Sequence, residues 1–346
     1  MTDKILSISI ASYNAEKDIS RCLESMINTS VIDLLDIIVV NDGSIDKTFE
    51  VASKYAVQFP NSIRVIDKKN GGHGSTINVG IVEAEGKYFK IVDSDDWVDK
   101  DGIESLVKFL SKTDVDLVVN PFHIRTLNNI NRCSLTNLRP QNINANEILH
   151  ADQLTGSENL YMHSMTFKTE ILKKVGPVID EHCFYVDMEY CIYPLIYVNS
   201  ICFQDYSVYQ YLLGSQTQSV SISNLIKRRN EHKRVILSLI KFYTNSIFIN
   251  QNICAPIKKI IFKRICQAIE GQYWIYLRMG NKCAKIEMDE FSEIVKKYSF
   301  EREIYKESKL KHVFIKCLIL SNNSIFELLS LLYKIERKLF RKFSDN

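Results

Sequence analysis

Strand-like apolar runs alternate with helical patterns throughout the first hundred residues of this 346-residue chain, and that alternation admits few folds. Ile5 to Ile10 alternates apolar residues with serine, and Asn14 to Thr29 then shows helical spacing through Ile19, Cys22, Leu23 and Met26. Asp36 to Val40 is a second strand, a helix over 47–59 stops before Pro60, and Ile63 to Asp67 is a third strand. A further helix runs through Ile77, Gly80, Ile81 and Ala84, ends at Gly86, and leads into a strand from Tyr88 to Val92. Repetition of this kind predicts an α/β fold with a mostly parallel sheet and helices on both faces.

Two of these strands end in acidic turns, Asn41-Asp42-Gly43-Ser44 and Asp93-Ser94-Asp95-Asp96. Open α/β sheets bind ligands in the crevice outside the carboxyl ends of their strands, so two such turns point to one site. Hard divalent cations such as Mg²⁺ and Mn²⁺ take oxygen ligands, commonly one or two carboxylates with phosphate and water filling the other positions. A nucleotide diphosphate suits that arrangement. Either turn alone is also ordinary surface punctuation, because Asp, Asn, Gly and Ser favour turns in their own right.

The segment Asn70-Gly71-Gly72-His73-Gly74-Ser75-Thr76 opens a helix, and its backbone N–H groups can approach a diphosphate or a sugar. It is not a P-loop, since no lysine follows its last glycine.

A net charge of +3 and the lack of a basic stripe interleaved with aromatics in the N-terminal half argue against nucleic acid as a partner. The nine cysteines form no Cys-x-x-Cys pair and read as small hydrophobes in a reducing compartment. Ile5 to Ala11 is too short and wrongly flanked for a signal peptide, and no apolar run reaches the roughly 18 residues of a spanning helix. These features predict a cytoplasmic protein.

Gly102 to Leu110 continues the pattern as a helix, and Val115 to Asn120 as a strand ending at Pro121. Residues 126–159, rich in Asn, Thr and Ser, show little periodicity and read as an insertion. Beyond Leu225 the patterning is helical, including Asn230 to Tyr243 and Ala255 to Leu277.

Taken together, Ala11-Ser12-Tyr13-Asn14, Asn41-Asp42-Gly43-Ser44, Asn70-Gly71-Gly72 through Asn78-Val79-Gly80 and Asp93-Ser94-Asp95-Asp96 resemble the motifs of the family 2 inverting glycosyltransferases. The resemblance covers residues 5–122 closely and continues loosely to 225. It implies the GT-A nucleotide-diphospho-sugar transferase fold, a Mn²⁺ or Mg²⁺ ion, and a UDP-sugar donor. It also implies that residues 1–122 bind the nucleotide-sugar and 123–225 the acceptor, and it leaves 226–346, helical by its periodicity, unassigned. By the same resemblance Tyr13, beside Ser12 and Asn14, faces the nucleotide base, and Asp42 accepts the uracil N–H. Gly72 and Asn78 are donor-site candidates, Asp93 meets ribose or sugar hydroxyls, Asp95 holds the metal, and Asp96 lies near the donor sugar.

Inverting transfer needs a general base for the acceptor hydroxyl. Relatives carry a Glu-Asp pair where this chain has Val186-Asp187, so Asp187 matches the base, with Glu189 as the alternative. In a strand the two acids would share a face, and at a helix start they would diverge. Tyr185 and Tyr190 are aromatics able to stack on a sugar. Tyr161 to Lys168 resembles a strand entering the acceptor side, where His163 is a weaker candidate for acceptor or phosphate contact. Gln218 and Ser219 belong to a polar loop that could close over the site, while Arg228, Arg229 and Lys233 read as a solvated helix face.

Ile325 to Phe343 combines Phe326, Leu329, Leu332, Leu339 and Phe343 with Lys334, Arg337, Lys338, Arg341 and Lys342. This is an interfacial amphipathic pattern suited to anionic lipid, or a helix packed on protein. Peripheral membrane contact through 325–343 would fit a lipid-linked glycan acceptor. The rival readings are a sugar nucleotidyltransferase and a non-catalytic sugar-nucleotide-binding scaffold.

Overall fold

The structure is a computed structural model that describes residues 4–127, 129–214, 221–247, 252–298, 300 and 313–332. Its contacts separate two compact units, Met1–Gln218 with Ile249–Ile260, and Ser219–Phe248 with Ile261–Asn346.

The first unit opens with the expected alternation. The elements are β1 (Leu6–Ser12), α1 (Ile19–Ile27), β2 (Leu35–Asp42), α2 (Thr48–Gln58), β3 (Ile63–Lys68), α3 (His73–Glu83) and β4 (Tyr88–Asp93). There follow β5 (Trp97–Val98), α4 (Lys100–Leu110), β6 (Leu117–Val119), β7 (Phe122–Thr126), β8 (Asn129–Thr136), β9 (Ile148–His150), β10 (Met165–Lys168), α5 (Thr169–Val175), α6 (Asp187–Ile192), β11 (Ser200–Phe203) and β12 (Tyr209–Leu213). The main sheet has the order β3-β2-β1-β4-β10-β6-β11-β9. β3, β2, β1 and β4 are parallel neighbours, whereas β10 runs antiparallel between β4 and β6.

Alternation in β1 assigns the two faces. Leu6, Ile8 and Ile10 enter a core with Ile19, Cys22, Leu23 and Met26 of α1, Ala52 of α2 and Ile103, Leu106, Val107 and Leu110 of α4. Each such fully buried side chain contributes about 2 kcal/mol of transfer free energy. Ser7 and Ser9 face the other way, where α3 packs on β1 and β2. Helices therefore cover both faces, as the alternation predicts.

Residues 126–159 hold more order than their composition suggests. β8 pairs antiparallel with β7, and β9 pairs with β11 at the sheet edge. β7 and β8 join β12 and β5 in a second sheet of order β5-β12-β7-β8. That sheet brings β12 alongside the residues that follow β4.

The second unit is helical. It contains α7 (Ile222–Lys227), α8 (Arg229–Phe242), most of α9 (Ala255–Met279), α10 (Lys282–Lys297) and α11 (Val313–Leu320). Val235, Ile236 and Leu239 of α8, Ile265, Ile269, Tyr273 and Tyr276 of α9, and Met288, Phe291 and Val295 of α10 are buried at helical spacing. Arg229 makes a bidentate pair with Glu287 at 2.8 Å, and Lys233 lies 4.0 Å from Glu290, so these two cations are paired within the helical unit. No helix among the described residues is long and apolar enough to cross a membrane.

Candidate active site

The carboxyl ends of β1, β2 and β4 open onto a cleft of about 580 Å³. Ser12, Tyr13, Asn14, Asp42, Gly72, Asp93 and Asp95 line it, together with Asp18, Asn70, His73, Thr76, Ser94, Leu127, Phe184 and Leu212. Seven residues singled out in the sequence thus meet in one place. Asp96, His163, Asn78, Asp187 and Glu189 are not in the lining, and Gln218 and Ser219 lie outside the described residues.

Each strand end contributes in a distinct way. Tyr13 is 54% exposed, which leaves its ring available to a planar partner, and Ser12 Oγ is buried without a hydrogen-bond partner among the described residues. Asn14 sits at φ 52 and ties its turn to the next one, accepting the Ile45 N–H at its Oδ1 while its own N–H donates to Ser44 Oγ. Asp42 is buried and organises the glycine loop. Its Oδ1 accepts from Lys68 Nζ at 2.7 Å, Gly71 N at 2.8 Å and Ser75 Oγ at 3.3 Å, and its Oδ2 accepts from Gly72 N at 2.8 Å. Gly72, at φ +82, turns the chain into α3, a conformation that side chains disfavour.

The tetrad is more elaborate than its sequence suggests. Asp93 and Asp95 face the cleft, whereas Asp96 is only 1% exposed and turned inward. There its Oδ2 accepts from Tyr209 OH at 2.6 Å and its Oδ1 from Leu212 N at 2.8 Å, both on β12. Tyr209 OH also accepts the Asp93 N–H at 3.1 Å, so one phenol ties both ends of the tetrad. Arg21 of α1 donates to the Asp95 carbonyl at 2.6 Å and lies over the Trp97 ring.

Burial and the neighbouring acids control the charges here. Burial, with the charge of Asp93 added, pushes Asp95 up to about 6. Burial and the charges of Asp95 and Asp93 push Asp96 well above the usual carboxylate range, despite its two donors. Burial would raise Asp93 too, but His73 outweighs it and holds Asp93 below its ordinary value. His73 Nε2 lies 3.2 Å from Asp93 Oδ1, close enough for charge attraction although not aligned as a hydrogen bond. For His73 burial opposes the charge, and Asp93, Asp187 and Asp95 overcome it to raise its pKa.

Behind the cleft, His163 belongs to a 3₁₀ turn, Met162–Ser164, and not to the strand expected over Tyr161 to Lys168, which begins only at Met165. Its ring stacks on Tyr211 at 4.2 Å and meets Tyr209 edge-on at 4.8 Å. Burial, helped by Lys90 and His73, lowers its pKa to about 4, so the imidazole is neutral. Lys90 is fully buried and donates to the carbonyls of His163 at 2.8 Å and Met165 at 3.3 Å.

The donor set fits a divalent cation. Ligand atoms of Asp93, Asp96 and His163 lie within 4.8 Å of one another, and Asp95 adds a further carboxylate facing the cleft. Carboxylate oxygens suit Mn²⁺ or Mg²⁺, whereas an imidazole is more typical of zinc, copper, iron or nickel. Acids packed this closely resist full ionisation until a cation joins them.

Asp187 and Glu189 both fall in the first turn of α6, where their side chains diverge. Asp187 is half-buried, and its charge acts on cleft-lining His73 and on Tyr211. Glu189 is fully buried. Its Oε2 accepts the Asp180 N–H at 2.8 Å and its Oε1 the Tyr193 hydroxyl at 3.0 Å. Asn78 is likewise turned away from the cleft, holding Ile179 through both its side-chain atoms at 2.9 and 3.1 Å. Tyr190 does not serve as a stacking surface, because it is buried between Phe89 and Phe167.

Comparison with known proteins agrees with this geometry. Residues 7–176 match the model of the family described as Glycosyl transferase family 2. The chain is 38% identical over 119 residues to EpsH of Bacillus subtilis, covering 34% of each protein, so it spans about a third of that relative's length. Among solved structures, S. aureus TarS 1–349 in complex with UDP-GlcNAc is similar with a TM-score of 0.66 at 15% identity, over 96% of this chain and 92% of that one. Mannosyltransferase PcManGT from Pyrobaculum calidifontis, in complex with GDP-Man and Mn²⁺, gives 0.51 at 13% identity, over 95% and 86%. The fold is GT-A with a helical C-terminal region.

Proposed function

Because residues 7–176 of this chain belong to glycosyl transferase family 2, we propose that it is a metal-dependent inverting glycosyltransferase that moves one sugar from a UDP-sugar to a hydroxyl of a growing, lipid-linked polysaccharide. The observation that carries this reading is the convergence of the Tyr13, Asp42 and Asp93-Asp95 strand ends, with the glycine loop, on one cleft.

In this reading the uracil ring lies against the exposed face of Tyr13, and Asp42 Oδ2, which among the described residues accepts from Gly72 N alone, takes the imide N–H. Ser12 Oγ, buried without a partner among the described residues, is available to the nucleoside. The diphosphate lies between the α3 N-terminus, whose dipole favours anions, and Asp95 with Asp93, which would hold the cation. A bound divalent ion supplies Lewis-acid stabilisation of the departing nucleotide diphosphate. Asp187 takes the acceptor proton as its oxygen attacks the anomeric carbon from the face opposite the diphosphate. Glu189 holds the loop leading to Asp187. The protein works at the cytoplasmic face of a membrane, with 325–343 as its lipid contact.

The test is nucleotide release from UDP-glucose, UDP-galactose, UDP-N-acetylglucosamine, UDP-N-acetylgalactosamine and GDP-mannose, in Mn²⁺ or EDTA. Turnover of one UDP-sugar in Mn²⁺ alone is expected, and Asp95→Asn should lower it by on the order of 3 kcal/mol in barrier or more. Turnover that survives EDTA would end the metal assignment. Exclusive use of GDP-mannose would end the uridine one.

A further inference from the structure

One aromatic in the cleft has no role in this scheme. Phe184 is 39% exposed and lines a cleft otherwise rich in carboxylates and glycine backbone, whose other large apolar side chains are Leu127 and Leu212. Phenylalanine is a residue that folding ordinarily buries.

The chain holds Phe184 there at a conformational cost. His182 at φ 52 and Tyr185 at φ 68 are both left-handed; histidine visits that region more readily than most side chains, whereas for Tyr185 it costs about 1–3 kcal/mol. Strain of this size persists only where the surroundings impose it, and here they do. Asn78 grips Ile179 by both side-chain atoms and reaches Glu181 Oε1 at 3.2 Å. Glu189 accepts the Asp180 N–H, and the His182 N–H donates to the Gly71 carbonyl. Gly74 lies so close to the Asp180 carbonyl that a Cβ would sit 2.0 Å from that oxygen. The 179–185 segment is therefore moulded onto the glycine loop and the start of α3, and Phe184 is presented with it.

A hexose ring has an apolar C–H face whose slightly positive hydrogens complement the negative face of an aromatic ring. The cleft is lined both by the carboxylates of Asp93 and Asp95 and by the apolar side chains of Phe184, Leu127 and Leu212. A nucleotide-sugar needs both, with a charged diphosphate and a sugar ring beyond it. We propose that Phe184 is the platform on which the donor's hexose ring stacks, making it a determinant of sugar binding and selectivity. This rests on the UDP-sugar reading.

Equilibrium binding of UDP and of the four UDP-hexoses in Mn²⁺ tests it without knowledge of the acceptor. The wild-type protein should bind one UDP-hexose more tightly than UDP. Phe184→Leu, which keeps apolar bulk but removes the ring, should reduce that advantage about tenfold while UDP affinity stays within about twofold, and Phe184→Tyr should preserve it. An advantage unchanged in Phe184→Leu would overturn the platform and leave the donor reading standing. So would equal weakening of UDP and UDP-hexose, which would assign Phe184 to loop structure. A wild-type protein that binds UDP but no hexose more tightly also removes the platform, and one that binds no UDP in Mn²⁺ removes the donor reading together with it.

Discussion

Two acids two residues apart in α6 have opposite surroundings, and that contrast separates their roles. Asp187→Asn is expected to lower kcat by about 10²–10⁴-fold with Mn²⁺-dependent UDP binding unchanged, since a general base acts on the acceptor proton alone. Glu189→Gln keeps an acceptor for the Asp180 N–H and should retain most of kcat while lowering the melting temperature; full turnover in the Asp187 variant would return the base to Glu189. Lys90 makes a second prediction at this scale. Burial lowers its pKa from 10.5 to about 7, although two carbonyls accept from the ammonium. Between those values the unfolded chain binds a proton that the folded one does not, so this position contributes stability that grows as pH rises from 7, and below 7 the full cost of burying the charge is felt. The melting temperature of the wild-type protein relative to Lys90→Met should therefore rise between pH 6 and pH 9 by thermal denaturation, whatever constant offset the lost carbonyl bonds introduce. A pH-independent difference would mean that the buried ammonium keeps its proton.

At the scale of elements, α3 and the 179–185 segment act as one piece, and Gly74 is the point where they touch. Gly74→Ala places a methyl group against the backbone at Asp180, so we expect a loss of about 1–3 kcal/mol in urea denaturation and a larger proportional loss in kcat than in UDP affinity. Wild-type stability in that variant would show that the segment yields freely. This contact also marks the limit of what the sequence discloses. β1 to β4 and α1 to α4 are legible because each has a local period and a stop signal, and the acidic turns are legible because strand ends in such sheets gather ligands. The parts that complete the site come from long-range pairing with no local period. Tyr209 and Leu212 reach Asp96 because β12 pairs with β5, and no spacing in either segment announces it. His73 looks like any loop histidine until α3 is seen to start at that residue, beside Asp93. Polar β8 escapes notice for a related reason: its pairing with β7 is set by the partner strand and not by an apolar face of its own.

For the whole molecule the open question is what the helical unit adds to a transferase domain, and its last described turns narrow the answer. Over 326–332 the chain is helical with two unlike faces. Phe326, Leu329 and Ser330 are buried, the last donating to the Leu277 carbonyl at 3.0 Å, whereas Leu328, Leu331 and Leu332 are 43–55% exposed. Packing on the protein thus takes one side of this helix and leaves an apolar side exposed, which is where a lipid contact would have to fall. Lys334, Arg337, Lys338, Arg341 and Lys342 follow directly in the sequence, beyond the described residues. Each net positive charge near an anionic surface is worth about 1 kcal/mol, and these five cations are offset by Glu336 and Asp345, so removing 333–346 should weaken binding to phosphatidylglycerol-containing vesicles by about two orders of magnitude. Stopping at 332 spares Phe326 and Leu329, and the melting temperature should stay unchanged. Leu328→Ser with Leu331→Ser should weaken the same binding without touching a buried side chain, because insertion of the apolar face adds to the electrostatic attraction. Co-sedimentation with anionic and with neutral vesicles checks both. Binding that survives the truncation and the serine pair alike would assign the exposed leucines to a protein partner and leave the route to a lipid-linked acceptor elsewhere on the molecule.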